Sequence, residues 1–131
     1  MNLLLDSHTL LWLMQSNPSL SSEAVALIAE PANRLYLSMA SIWEIGIKSG
    51  IGKMELSVPY STFLDTAIHG YGLIVLPITP EDCVRYETLP FPDKQHRDPF
   101  DRMLVTHALR NGLSIVGVDS AFDAYGVTRL W

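Results

Sequence analysis

Residues His96–Asp119, HRDPFDRMLVTHALRNGLSIVGVD, decide the fold, because they contain both ends of a helix and the strand that follows it. Asp98 is an N-cap type, Pro99 suits the first helical position, and Asp101 falls in the first turn, where the helix dipole favours an acid. Phe100, Met103, Leu104, His107 and Ala108 recur on one face as far as about Arg110. Asn111-Gly112 stops the helix, and Ser114–Val118 reads as a strand followed directly by Asp119.

The rest of the chain repeats this alternation. Towards the N-terminus, Asn2–Leu5 is a short buried strand ending at Asp6, with a helix over His8–Gln15 behind it. Ser21 or Ser22 caps a second helix that runs to about Glu30, and Pro31-Ala32-Asn33 breaks it. Arg34–Ser38 is a strand, and Ala40–Ser49 is a helix ended by Gly50 and Gly52. Tyr60–His69 is helical, Leu73–Leu76 a third strand, Pro80–Thr88 a helix, and Leu89–Arg97 the least regular stretch. Ser120–Tyr125 makes a short helical turn, and Val127–Leu130 fits an edge strand. Strands separated by helices predict an α/β fold with a mostly parallel central sheet covered on both faces.

Length and composition bound what such a domain does. The 131 residues suit a single domain, residues 1–131. Hydrophobic residues make up 48% and charged residues 18%, which excludes a disordered chain and suggests that a partner covers some apolar surface. A net charge of −5 argues against a general nucleic-acid coat, which needs a basic surface. The one cysteine, Cys83, excludes an intrachain disulfide framework and a multi-thiolate zinc site. The apolar N-terminus lacks the basic first region and cleavage site of an export signal, and no run is long enough to span a membrane. A soluble, cytoplasmic protein is expected.

In an open parallel sheet, strand C-termini and the N-termini of the following helices share one edge. Asp6, Glu44, Asp101 and Asp119 all fall there, with Asp98 beside them. Each has a local explanation as well. Asp6 and Asp119 suit caps, Ser41–Glu44 matches a capping box, Glu44 precedes Lys48 by four residues, and Asp98 opens a helix. Gathered carboxylates nevertheless repel by about 1 kcal/mol per pair at 4 Å in water and about 4 kcal/mol at an effective dielectric of 20. They must protonate, spread apart or bind cations, and an all-oxygen set suits Mg2+ or Mn2+.

Four segments carry a family resemblance: LLLDSHTLLW (Leu3–Trp12), SMASIWEIGIKSGIGKMEL (Ser38–Leu56), HRDPFDRMLVTHAL (His96–Leu109) and VGVDSAFDAYGV (Val116–Val127). In this order they resemble PIN-domain ribonucleases, and among those the VapC-type toxins of bacterial type II toxin–antitoxin pairs. The resemblance implies a three-layer α/β/α domain and hydrolysis of RNA phosphodiester bonds assisted by Mg2+ (or Mn2+). It makes Asp6, Glu44, Asp101 and Asp119 the catalytic and metal-binding acids, with Ser7 and Asp98 in supporting places. Lys48, Lys53, Lys94, Arg97 and Arg102 flank these motifs and are candidate RNA-phosphate contacts, although each also suits a solvated charge or a local ion pair. His8 and His96 fall in matched segments and read as hydrogen-bonding residues rather than general bases.

The resemblance further implies an RNA substrate, a cognate antitoxin and a homodimer, without a membrane. Trp12, Trp43, Leu11 and Leu13 can serve such surfaces, with core packing favoured for the tryptophans. A phosphoacceptor receiver domain would need an acid after its central strand, whereas Leu73–Thr79 contains none. A PIN-like nuclease in RNA processing or acting on DNA, and a non-catalytic PIN-like binding module, are the remaining alternatives.

Overall fold

The computed structural model describes all 131 residues. Five strands form one wholly parallel sheet in the order β3-β2-β1-β4-β5: β1 Asn2–Leu5, β2 Arg34–Ser38, β3 Ile74–Leu76, β4 Ser114–Val116 and β5 Arg129–Leu130. The helices are α1 Ser7–Met14, α2 Ser22–Ala29, α3 Met39–Gly50, α4 Tyr60–Asp65, α5 Pro80–Glu87 and α6 Pro99–Asn111, with a 3-10 helix over Ser120–Tyr125.

The strands are short and apolar because both faces of the sheet are covered. Leu3, Leu4 and Leu5 are all fully buried. Side-chain alternation sends Leu3 and Leu5 into one core, with Leu10, Leu37, Ile45 and Phe63. Leu4 enters the other core, with Leu104, Val105, Ile115 and Phe122. Each buried leucine contributes about 1.5–3 kcal/mol through area removed from water. The result is the expected α/β/α sandwich.

Several details differ from the sequence reading. The helix from Tyr60 does not stay α-helical to His69; it widens into a π-helical turn over Thr66–Gly70, with Ala67 buried. β4 stops at Val116 rather than Val118, and the chain bends at Val118. The strand Ile74–Leu76 lies at the sheet edge, and the centre is β1, which Asp6 follows. Trp43 is 61% exposed rather than core, whereas Leu11 is buried and Trp12 packs against Trp131 with ring centroids 5.7 Å apart.

The helices carrying the acids are tied together by a buried polar chain. His107 on α6 reaches Asp82 on α5 through Nε2 at 3.2 Å and Ser38, the cap of α3, through Nδ1 at 3.0 Å. Arg110 donates to the other Asp82 oxygen, and Thr79 donates to Asp82 from its backbone and its hydroxyl. Burial pushes the Asp82 carboxyl up, but these donors outweigh it and bring it down to about 2. Gly112 caps α6 with φ 63°, the left-handed geometry for which Asn111-Gly112 is suited.

Candidate metal centre

The sheet order reverses between β1 and β4, so the loops that follow these two strands open a crevice at the C-terminal edge. Asp6 follows β1 and Asp119 follows β4, while α3 brings Glu44 and the start of α6 brings Asp98 and Asp101. These five acids, with Ser7, His8, Lys48 and Phe122, line one cavity of about 140 Å³.

Each aspartate of the four proposed ligands commits one oxygen to local structure. Asp6 Oδ1 accepts from the Thr9 backbone N–H at 2.7 Å and caps α1. Asp119 Oδ1 accepts from Ala121 N–H at 2.9 Å and caps the 3-10 helix. Asp101 Oδ2 lies 3.1 Å from His96 Nε2. The capping and ligand readings of these residues are therefore compatible, since each carboxylate has a second oxygen. Asp98 is the N-cap of α6, accepting from Asp101 N–H at 2.9 Å. Glu44 differs: Ser7 Oγ donates to Oε1 at 2.6 Å and Lys48 Nζ to Oε2 at 2.7 Å, so both oxygens are engaged.

The crevice is charged against its own preference. Burial raises the Asp6 carboxyl above its ordinary range, and Asp119 adds a smaller push in the same direction. Burial, then the Asp98 charge, lifts Asp101 to about 6, with the His96 hydrogen bond opposing and Glu44 reinforcing. Lys48 is the one ammonium in the cavity, and its hydrogen bond to Glu44 raises its pKa. Five carboxylates against one ammonium form a site that a divalent cation suits. The donors are oxygens, with two imidazoles close by: His8 lines the cavity, and single ligand atoms of His96, Asp101 and Asp119 lie within 4.8 Å of one another.

The flanking basic residues divide. Lys48 faces the cavity, while Arg97 is exposed outside it, its Nε donating to Lys94 O at 2.7 Å. Arg102 does not suit a phosphate contact. It is 2% exposed, donates to the carbonyls of Leu89 and Pro90, and lies over the Phe91 ring at 3.8 Å. Its position on the buried side of α6, where Met103 and Leu104 also lie, takes the guanidinium inward.

Two participants were not singled out as site residues. Gly117 lies so close to Asp6 that a Cβ there would stand 2.9 Å from Asp6 Cγ. A glycine inside a strand pattern, IVGVD, is the sequence signal of such a close approach. Thr9 donates from Oγ1 to Val116 O at 2.9 Å, and Asp6 N–H donates to the same carbonyl at 3.2 Å, so the ends of β1 and β4 are stitched beneath the acids.

Comparison with known proteins follows the same fold. The PIN domain family matches residues 3–127. No curated protein sequence matches. Among solved structures, VapBC2 from Rickettsia felis, bound to a DNA fragment from its promoter, is 16% identical with a TM-score of 0.75, covering 100% of this chain and 99% of that one. DNA-bound VapBC from Salmonella typhimurium is 20% identical with a TM-score of 0.69, and VapBC-1 from nontypeable Haemophilus influenzae is 20% identical with a TM-score of 0.68. Both cover 99% of this chain and 97% of their own.

Proposed function

The chain belongs to the PIN-domain family, and on that premise we propose that it is a metal-dependent ribonuclease and the toxin of a type II toxin–antitoxin pair. The observation that carries this reading is the convergence of Asp6, Glu44, Asp101 and Asp119, from four separate elements, on one crevice. The likeness to VapBC chains supports the toxin role, because the fold agrees with theirs along nearly the whole of both chains.

Asp6 and Asp119 would hold Mg2+ (or Mn2+) through the oxygens their caps leave free, Asp101 through the oxygen that His96 leaves free, and Glu44 through Oε2 once Lys48 releases it. A bound divalent cation supplies Lewis acidity, which lowers the pKa of water and stabilises negative oxygen at phosphorus. Ser7 orients Glu44, and Asp98 fixes the start of α6 and with it the position of Asp101. Lys48, once freed, is placed to meet a substrate phosphate, and Arg97 and Lys94 offer a second, exposed contact outside the crevice.

Partners follow from surface chemistry. Met39, Trp43 and Ile47, spaced by four along α3, and Ile51 at its C-cap are all exposed and form an apolar stripe. A second copy covers it in the homodimer we propose, and a cognate antitoxin blocks the acidic crevice. No helix is long and apolar enough to cross a membrane, in keeping with the cytoplasmic location proposed.

Purified protein with Mg2+ or Mn2+ is tested on a panel of structured RNAs, with EDTA and Asp6→Asn as controls. Cleavage lost in both controls supports the reading, and cleavage surviving both contradicts it. Asn keeps an oxygen to cap α1, so Asp6→Asn retains the fold. Light scattering of wild type against Trp43→Glu tests the dimer, which the charge should dissociate.

A further inference from the structure

The geometry points to His96 as a positioning residue for Asp101: it donates a hydrogen bond from Nε2 to Asp101 Oδ2 and does not itself take a metal ion. The inference rests on the metal-site reading above, and it is carried by the hydrogen bonds behind the ring. His96 Nδ1 lies 3.1 Å from the Tyr125 hydroxyl, and Arg102 donates from Nη1 to that same oxygen at 3.2 Å. Arginine only donates, so Tyr125 accepts from it and keeps its single proton for another partner. His96 Nδ1 is that partner, and a ring that accepts at Nδ1 carries its proton on Nε2, facing Asp101 at 3.1 Å.

The opposite tautomer fails on both sides. A bare Nε2 would face a carboxylate oxygen at 3.1 Å, and the Tyr125 proton would lose its acceptor in a buried place. The ligand assignment needs that opposite tautomer, since a ring that binds an ion through Nε2 must carry its proton on Nδ1. The proximity of His96, Asp101 and Asp119 is thus explained without an imidazole ligand.

Arg102 explains why the ring is held there. Its buried guanidinium also donates to Pro90 O at 2.8 Å and Leu89 O at 3.2 Å, and Phe91 lies across it. It therefore fastens the start of the Leu89–Arg97 loop and Tyr125 together, and the loop delivers His96 to Asp101. Adjacent residues of α6 divide the work: Arg102 anchors the support and Asp101 receives it. With Oδ2 held by His96, Asp101 presents Oδ1 to the crevice.

Two measurements test this. Nitrogen-15 spectra of the metal-free protein near neutral pH read the His96 tautomer directly, with no dependence on RNA cleavage. We expect a ring that carries a proton on Nε2, and a Tyr125→Phe chain that loses this fixed tautomer; a ring protonated on Nδ1 alone overturns the inference. Calorimetric titration with Mg2+ and Mn2+ then compares wild type, His96→Ala and His96→Gln. Loss of an outer hydrogen bond to a ligand weakens metal binding by about 10–100-fold. His96→Ala should weaken both ions alike, and His96→Gln, whose amide N–H can reach Asp101, should recover most of the loss. A loss much larger for Mn2+ than for Mg2+ marks His96 as a nitrogen ligand and overturns the assignment, as does unchanged binding of both. If the wild type binds neither ion, the metal-site reading fails, while the tautomer still decides whether His96 donates to Asp101.

Discussion

Gly117 and Asp6 are in contact across the ends of β4 and β1, with no room between them for a methyl group. The carboxylate cannot simply swing aside, because Oδ1 is held by Thr9 N–H at 2.7 Å and the side chain is buried. Gly117→Ala should destabilise the protein by about 1–3 kcal/mol through overpacking. It should also weaken Mg2+ binding, because Asp6 is displaced. Thermal unfolding and metal titration of the variant check both; full stability with unchanged metal affinity would mean that the contact is loose.

Asp101 makes the metal-free protein favour mildly acidic pH. Its folded pKa of about 6 lies above its ordinary value of 3.8, so the folded state takes up the proton first as pH falls. Stability should therefore rise from neutral pH down through 6 and level off near 3.8. Asp82 acts in the opposite sense: held at about 2, it contributes stability above 3.8 that is lost as pH falls towards 2. Urea unfolding of the metal-free protein at several pH values should show a maximum between these windows.

Asp101→Asn should stabilise the metal-free protein at pH 7 by on the order of 1–2 kcal/mol, after allowance for solvent screening, and flatten its pH dependence between 6 and 4. The amide oxygen still accepts from His96. Metal binding should be lost in the same variant. A destabilised metal-free Asp101→Asn protein would show that the carboxylates are not in mutual conflict.

Lys48 competes with a cation for Glu44. Lys48→Met should tighten Mg2+ binding by about 1 kcal/mol, roughly fivefold, while raising KM for RNA if the ammonium also meets phosphate. Calorimetry on the RNA-free protein reads the first effect, and weaker Mg2+ binding would contradict it.

Asp82→Asn should cost about 2–4 kcal/mol by breaking the buried link from Asp82 to His107 and Arg110. Metal titration at low temperature should remain near wild type, because Asp82 lies on α5, outside the crevice lining. Denaturant unfolding distinguishes this scaffold role from a direct role in the site.

The sequence carried the sheet and the crevice because both rest on local patterns. The apolar Leu3–Leu5 run before Asp6 and the Asp98-Pro99 helix start specify elements whose C-terminal and N-terminal ends share one edge. What it did not carry depends on side chains from distant segments meeting. Arg102 reads as a surface cation beside an acid, and only the packing of Phe91 and the Leu89 and Pro90 carbonyls against α6 takes it inside. Trp43 reads as core by residue type, yet it sits with Met39, Ile47 and Ile51 on the face of α3 turned away from the sheet. The exposure of that stripe is a tertiary fact, since helical spacing is the same on either face.

The most direct test of the account is the chemistry of the RNA ends. Hydrolysis by a water molecule at a carboxylate-held divalent cation should leave a 3′-hydroxyl and a 5′-phosphate, and these products should vanish with EDTA and in Asp6→Asn and Asp101→Asn. Products ending in a 2′,3′-cyclic phosphate, formed equally well in EDTA, would show attack by the RNA's own 2′-hydroxyl and contradict a metal centre built from Asp6, Glu44, Asp101 and Asp119.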